Sequence, residues 1–142
     1  MGWSDYKSFV DMDWGKIPKN PGVYYIRCVN KSGKPINIQR LGGVDKEGII
    51  YVGETGSNLG NRLRNFWKTA HNFRLNRHRA GWNYSYWGFS KIFPLKNLEF
   101  SYLSCKNKAH SQSLEFDCLW DYRKTKKYID LPPLNFSAGR EK

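Results

Sequence analysis

Three kinds of residue in this chain could do chemistry together. The first is a run of cations. Between Thr55 and Leu98 there is no Asp or Glu, yet the stretch carries Arg62, Arg64, Lys68, Arg74, Arg77, Arg79, Lys91 and Lys96, with His71 and His78 among them. A one-signed surface of this kind raises the local concentration of phosphate chains and loses that effect as salt rises. The second is a carboxylate in an awkward place. In a helix over Lys108–Arg123, Leu114, Cys118, Leu119 and Tyr122 make an apolar arc of roughly 140°, and Glu115 falls inside it. Asp117 and Asp121 fall outside that arc, where water solvates them. A carboxylate leaning on the interior needs a partner, either a neighbouring arginine or a metal ion. The third is a pair of phenols, Tyr24 and Tyr51, on two segments that can pair as strands and point both rings to one face, whether as core aromatics or as site groups.

Those residues need elements to hold them. Gly22–Val29 is rich in β-branched and aromatic residues and reads as a strand; Ile49–Val52 reads as a second, and Leu98–Ser104 as a third. Asn30–Lys34 is a turn, and Ile36–Leu41 extends a hairpin broken by Gly42-Gly43. Leu59, Leu63, Phe66, Trp67 and Ala70 recur at helical spacing behind the caps Ser57 and Asn58. Asn107 caps the helix that bears Glu115. Arg74–Gly81 is a basic loop or short irregular helix, and Trp82–Phe89 alternates as a strand would. The expected fold is α+β: a small three-stranded, mainly antiparallel central sheet flanked by helices, with a hairpin or loop inserted between the first two strands. Residues 1–142 form one domain, with 1–20 an N-terminal extension, 21–135 the core and 136–142 a tail.

The order Gly22-Val23-Tyr24, then Tyr51-Val52-Gly53, then Asn58-Leu59-Gly60-Asn61-Arg62-Leu63, then Glu115, then Pro132-Pro133-Leu134-Asn135 resembles the GIY-YIG nuclease superfamily. The resemblance runs from Pro21 to about Asn135. It implies a catalytic set of Tyr24, Tyr51, Arg62, Glu115 and Asn135, with Glu115 as ligand to Mg²⁺ or Mn²⁺. It implies that one tyrosine serves as general base, that Arg62 stabilises the phosphoryl charge, and that hydrolysis leaves 5′-phosphate and 3′-hydroxyl ends. Arg64 lies about 200° around its helix from Arg62, so only one of them faces the site; the family spacing selects Arg62. Asn135, after two prolines, either orients site groups or ties the C-terminal segment down. Three features depart from the pattern: a longer interval between the tyrosine motifs, Glu54 directly after the second, and Phe66 where many relatives place a histidine.

The chain's balance agrees with such a substrate: 24 Lys and Arg against 12 Asp and Glu give a net charge of +12. Arg64, Lys68, His71, Arg74, Arg77, His78 and Arg79 are the expected DNA contacts, to double-stranded DNA, by a monomer or homodimer. No apolar run is long enough to span a membrane, and the first ten residues do not read as a signal peptide. Cys28, Cys105 and Cys118 have no close metal-ligand spacing and fit buried thiols in a reducing cytoplasm. The competing expectation is a non-catalytic nucleic-acid-binding module on the same fold.

Overall fold

The computed structural model describes residues 2–137 and is α+β. Its central sheet has four antiparallel strands, which run across it in the order β1 (Lys7–Ser8), β6 (Leu98–Ser104), β2 (Gly22–Cys28) and β5 (Ile49–Thr55). The expected three-stranded sheet is therefore corrected. The additional strand comes from the segment expected to be an extension. Lys7 pairs with Phe100 and Ser8 with Glu99, while Phe9 and Ile17 insert into the core at 1% and 2% exposure. Two apolar side chains anchor that short strand, which alternation within two residues could not reveal. The inserted segment forms a separate two-stranded sheet, β3 (Ile38–Arg40) with β4 (Gly43–Asp45). It is tied down by the Arg40–Asp130 ion pair at 2.9 Å and by Tyr122 donating to buried Asp45 at 2.8 Å.

Helices cover both faces of the main sheet. On one side, α1 (Leu59–His71) and α2 (Arg79–Tyr86) pack over Tyr24, Ile26 and Phe100. On the other, α3 (Lys108–Trp120) lies over Val23 and Val52 through Cys118 and Leu119. The three cysteines are buried and free. Asn58 caps α1 by accepting from the Asn61 amide, and Asn107 caps α3 by accepting from the His110 amide. Beyond Trp120 the helix widens into a π turn over Asp121–Thr125.

The expected strand at Trp82–Phe89 is a helix instead. Ala80, Asn83 and Tyr84 are buried at helical spacing, and the Tyr84 hydroxyl donates to the Phe93 carbonyl. The alternation of aromatic and small residues, which suggests period two, comes from Tyr84 facing inward while Trp82 and Tyr86 stack on the outside. Gly81 lets α2 press on α1: a Cβ there would lie 2.9 Å from the Phe66 carbonyl oxygen. The expected tail at 136–142 lies outside the described residues beyond Ser137.

Candidate active site

The two phenols are placed by strand register. Tyr24 pairs with Gly53 and Ile26 with Tyr51, so Tyr24 and Tyr51 sit diagonally on one face with ring centroids 6.0 Å apart. Gly53 makes room for both. A Cβ at that position would lie 2.5 Å from the Tyr24 hydroxyl and 2.5 Å from the Tyr51 ring. The glycine of the Tyr51-Val52-Gly53 motif thus has a steric reason, namely that two rings cross the backbone there.

His78 completes this cluster and corrects an expectation. Instead of standing among exposed phosphate contacts, it is 2% exposed and lies over the tyrosines at the start of α2. Its Nδ1 accepts the Gly81 amide at 3.2 Å, and a ring nitrogen that accepts carries no proton. The proton of the neutral ring is therefore on Nε2, which lies 2.7 Å from the Tyr24 hydroxyl oxygen and donates to it. Burial, with the nearby Arg62 charge, holds His78 well below the ordinary imidazole range. A cationic histidine would lose the Gly81 cap, so geometry and electrostatics agree on the neutral form. The only signal of this role in the sequence is that a histidine can cap a helix, and the apparent strand at Trp82–Phe89 conceals the helix to be capped.

Arg62 leaves the first turn of α1 and donates to the Arg77 carbonyl at 3.4 Å, next to His78. Its charge acts on both phenols. Burial, joined by the neighbouring Tyr51 ring, raises Tyr24 well above the usual phenol value, and Arg62 opposes the rise. Burial and then Glu115 push Tyr51 up to about 12, against the pull of Arg62. Arg62 and Glu115 are therefore close enough to act on the ionisation of Tyr24 and Tyr51, although the four residues come from α1, α3, β2 and β5.

Tyr51 is the phenol that faces open space. With Glu115, Asn135, Arg79, Asn83 and Gln112 it lines a cavity of about 300 Å³ beside the edge of β5. Arg62 lines an adjoining cavity of about 460 Å³, and Glu54 and Gln112 belong to both walls. Tyr24, fully buried, lines neither. Glu54, which strand alternation turns to the α3 side, accepts from the Ser111 hydroxyl at 2.8 Å. Glu54 and Glu115 offer hard oxygen donors on one cavity wall, the chemistry a divalent cation of the Mg²⁺ class prefers. Among the described residues no three His, Cys, Asp or Glu gather as a ready metal cage, so a cation here would take its other ligands from water and substrate.

Asn135 closes the site by backbone mimicry. β5 is an edge strand, and its outward groups at Val52 are both met by one side chain. The Val52 amide donates to Asn135 Oδ1 at 2.8 Å, and Asn135 Nδ2 donates to the Val52 carbonyl at 2.8 Å. The Leu134 amide donates to the Ile50 carbonyl at 2.8 Å. The asparagine both ties the C-terminal segment down and forms part of the cavity wall.

The expected DNA contacts divide. Arg79 lines the cavity, and Arg74 and Arg77 are exposed in the turn before it. Arg64, Lys68 and His71 form a stripe at i, i+4 and i+7 on α1, turned away from Arg62 by about 120–180°. Arg64 lines a groove with Trp14 instead, so the structure does not bring this stripe to the cavity. Comparison of the chain with protein-family models, with curated proteins and with solved structures found no match in any of the three.

Proposed function

We propose that this chain is a metal-dependent endonuclease that hydrolyses DNA phosphodiester bonds, leaves 5′-phosphate and 3′-hydroxyl ends, and cuts one strand per active site. What supports the reading most is the meeting of Tyr51, Arg62 and Glu115, from three elements distant in sequence, around two adjoining cavities in a chain of net charge +12. Tyr51 is the general base, because it is the phenol that reaches the cavity. A phenol held near 12 is almost wholly protonated at neutral pH, and approaching cations, of which Arg62 is one, raise its ionised fraction. Arg62 also offers guanidinium N–H groups to the phosphoryl oxygens as their charge grows. Tyr24 and His78 are positioning residues that fix the ring beside Tyr51. Glu115, with Glu54 beside it, would hold Mg²⁺ or Mn²⁺. When bound, such an ion stabilises phosphoryl charge and lowers the pKa of an attacking water.

Arg74, Arg77 and Arg79 carry the phosphate backbone past the cavity, and double-stranded DNA is the expected partner. No helix among the described residues is long and apolar enough to cross a membrane. Three buried free thiols fit the reducing cytoplasm in which we place the chain. One site per chain means that a double-strand break takes a homodimer or two visits by a monomer.

The test is to incubate supercoiled plasmid with the chain and Mg²⁺ or Mn²⁺, with and without EDTA. Metal-dependent nicked circles that DNA ligase reseals directly are the expected result. Salt-sensitive binding of the plasmid with no nicking under any metal would favour a non-catalytic binding module.

A further inference from the structure

The outer surface of α2 carries aromatic rings that the site does not use. Trp82 and Tyr86 stack with centroids 4.4 Å apart and planes within 13°. Trp87 stands edge-on to Tyr86 at 4.8 Å, and Phe73 edge-on at 5.3 Å. Tyr86 is 50% exposed and Trp87 63%. Rings of this size gain substantially from being covered, so a cluster left open marks a binding surface.

Charge identifies the occupant. Arg74 sits over the Phe73 ring at 5.5 Å, and Arg77, Arg79 and Lys91 are exposed in the same acid-free segment. Aromatic faces interleaved with cations suit a single nucleic-acid strand, whose bases stack while its phosphates are neutralised. A paired duplex hides its base faces and leaves the rings uncovered.

Helical geometry links this shelf to the cavity. Arg79, Trp82, Asn83 and Tyr86 occupy i, i+3, i+4 and i+7 of one helix, hence one stripe. Arg79 and Asn83 line the cavity, and Tyr86 lies about 4.5 Å along the axis from Asn83 and about 10 Å from Arg79. The longer separation spans two or so nucleotides of an extended strand.

We propose that Trp82, Tyr86 and Trp87 form a stacking shelf for unpaired nucleobases, so that the chain prefers DNA with a single-stranded or distorted stretch next to the bond to be cut. The shelf rests on the nuclease reading for its role but not for its test. With EDTA present, the anisotropy of a short fluorescent oligothymidine and of a duplex of equal length measures binding without cutting. Joint replacement Tyr86→Ala with Trp87→Ala weakens oligothymidine binding by roughly tenfold or more, as loss of base stacking does, and leaves duplex binding nearly unchanged. Trp87→Phe keeps a π face and retains most of the affinity. Thermal unfolding checks the fold, and Trp87→Ala alone serves if the pair unfolds. Equal weakening of both ligands, or unchanged oligothymidine affinity, overturns the shelf. So does a self-association, seen by sedimentation, that the same pair abolishes while oligothymidine binding persists; the shelf would then be a face between copies of the chain. Metal-dependent nicking by the native chain is scored separately, so either idea can fail while the other stands.

Discussion

His78 Nε2 lies 2.7 Å from the Tyr24 hydroxyl oxygen while His78 Nδ1 receives the Gly81 amide. One neutral ring therefore joins the cap of α2 to the phenol of β2, and it does so only with its single proton on Nε2. The pair fixes the orientation of Tyr24, which in turn packs beside Tyr51. This contact connects helix placement to the proposed chemistry.

Because burial and Arg62 depress the folded-state pKa of His78 below its unfolded value of about 6.5, its contribution has a definite pH sign. The stability is fully present above about 6.5 and falls as pH drops from there towards the folded pKa, since the unfolded chain takes up the proton first. His78→Asn can still cap α2 but does not titrate. The variant is less stable at neutral pH by roughly 1 kcal/mol from the lost hydrogen bond to the Tyr24 hydroxyl, and its decline on acidification is shallower. Thermal unfolding of both proteins between neutral and mildly acidic pH measures this; parallel profiles would count against the buried neutral ring.

The two phenols are expected to differ. Tyr51→Phe removes the group that reaches the cavity and lowers the nicking rate by about 10²–10⁴. Tyr24→Phe removes a positioning hydroxyl, lowers the rate less, and destabilises the fold by leaving the His78 N–H buried and unpaired. In the native chain the rate rises with pH through the neutral and alkaline range, because the ionised fraction of a phenol held near 12 grows throughout it. Tyr51→Phe flattens the rise. A pH–rate profile that keeps the native slope in Tyr51→Phe would assign the base elsewhere.

Asn135→Ala leaves both Val52 backbone groups without their partner at the edge of β5. The expected cost is about 1–3 kcal/mol in unfolding free energy, with faster hydrogen exchange at the Val52 amide. Asn135→Asp keeps the acceptor for the amide but puts an oxygen against the Val52 carbonyl, so it does not restore stability. Unchanged exchange at Val52 in Asn135→Ala would show that the bracket contributes nothing in solution.

Parts of this arrangement are legible in the sequence because they depend on local rules. Three strands, two helices and the caps Asn58 and Asn107 follow from β-propensity, helical spacing and side-chain acceptors. The placement of Glu115 beside the interior follows from 100° per residue. What stays hidden depends on distant contacts. β1 is held by Phe9 and Ile17 in the core rather than by any pattern of its own. α2 is a helix because Gly81 fits against α1 and Tyr84 turns inward, which the aromatic alternation disguises. His78 resembles one more cation in a basic run, since nothing in its neighbours says that Tyr24, 54 residues earlier, waits above it. Asn135 carries two possible roles in the sequence, and the structure gives it a hydrogen-bonded one together with a place on the cavity wall.

The split among the basic residues also has a measurable consequence. Replacing Arg77 and Arg79 together with glutamine lowers duplex affinity similarly for all sequences and reduces the log–log salt slope by about 2, near 0.9 for each phosphate no longer neutralised. Replacing Arg64 and Lys68, which face away from the cavity, changes the nicking rate much less. Equal effects of the two pairs on nicking would mean that the DNA follows another path across the surface.

Plasmid nicking by Glu115→Gln in Mg²⁺, run beside its affinity for the same plasmid in EDTA, bears most directly on the proposed chemistry. Replacing the carboxylate by an isosteric amide is expected to reduce nicking by at least about 10² while plasmid binding without metal is retained, because the loss is in charge stabilisation rather than in DNA contact. Nicking at the native rate by Glu115→Gln would contradict the account.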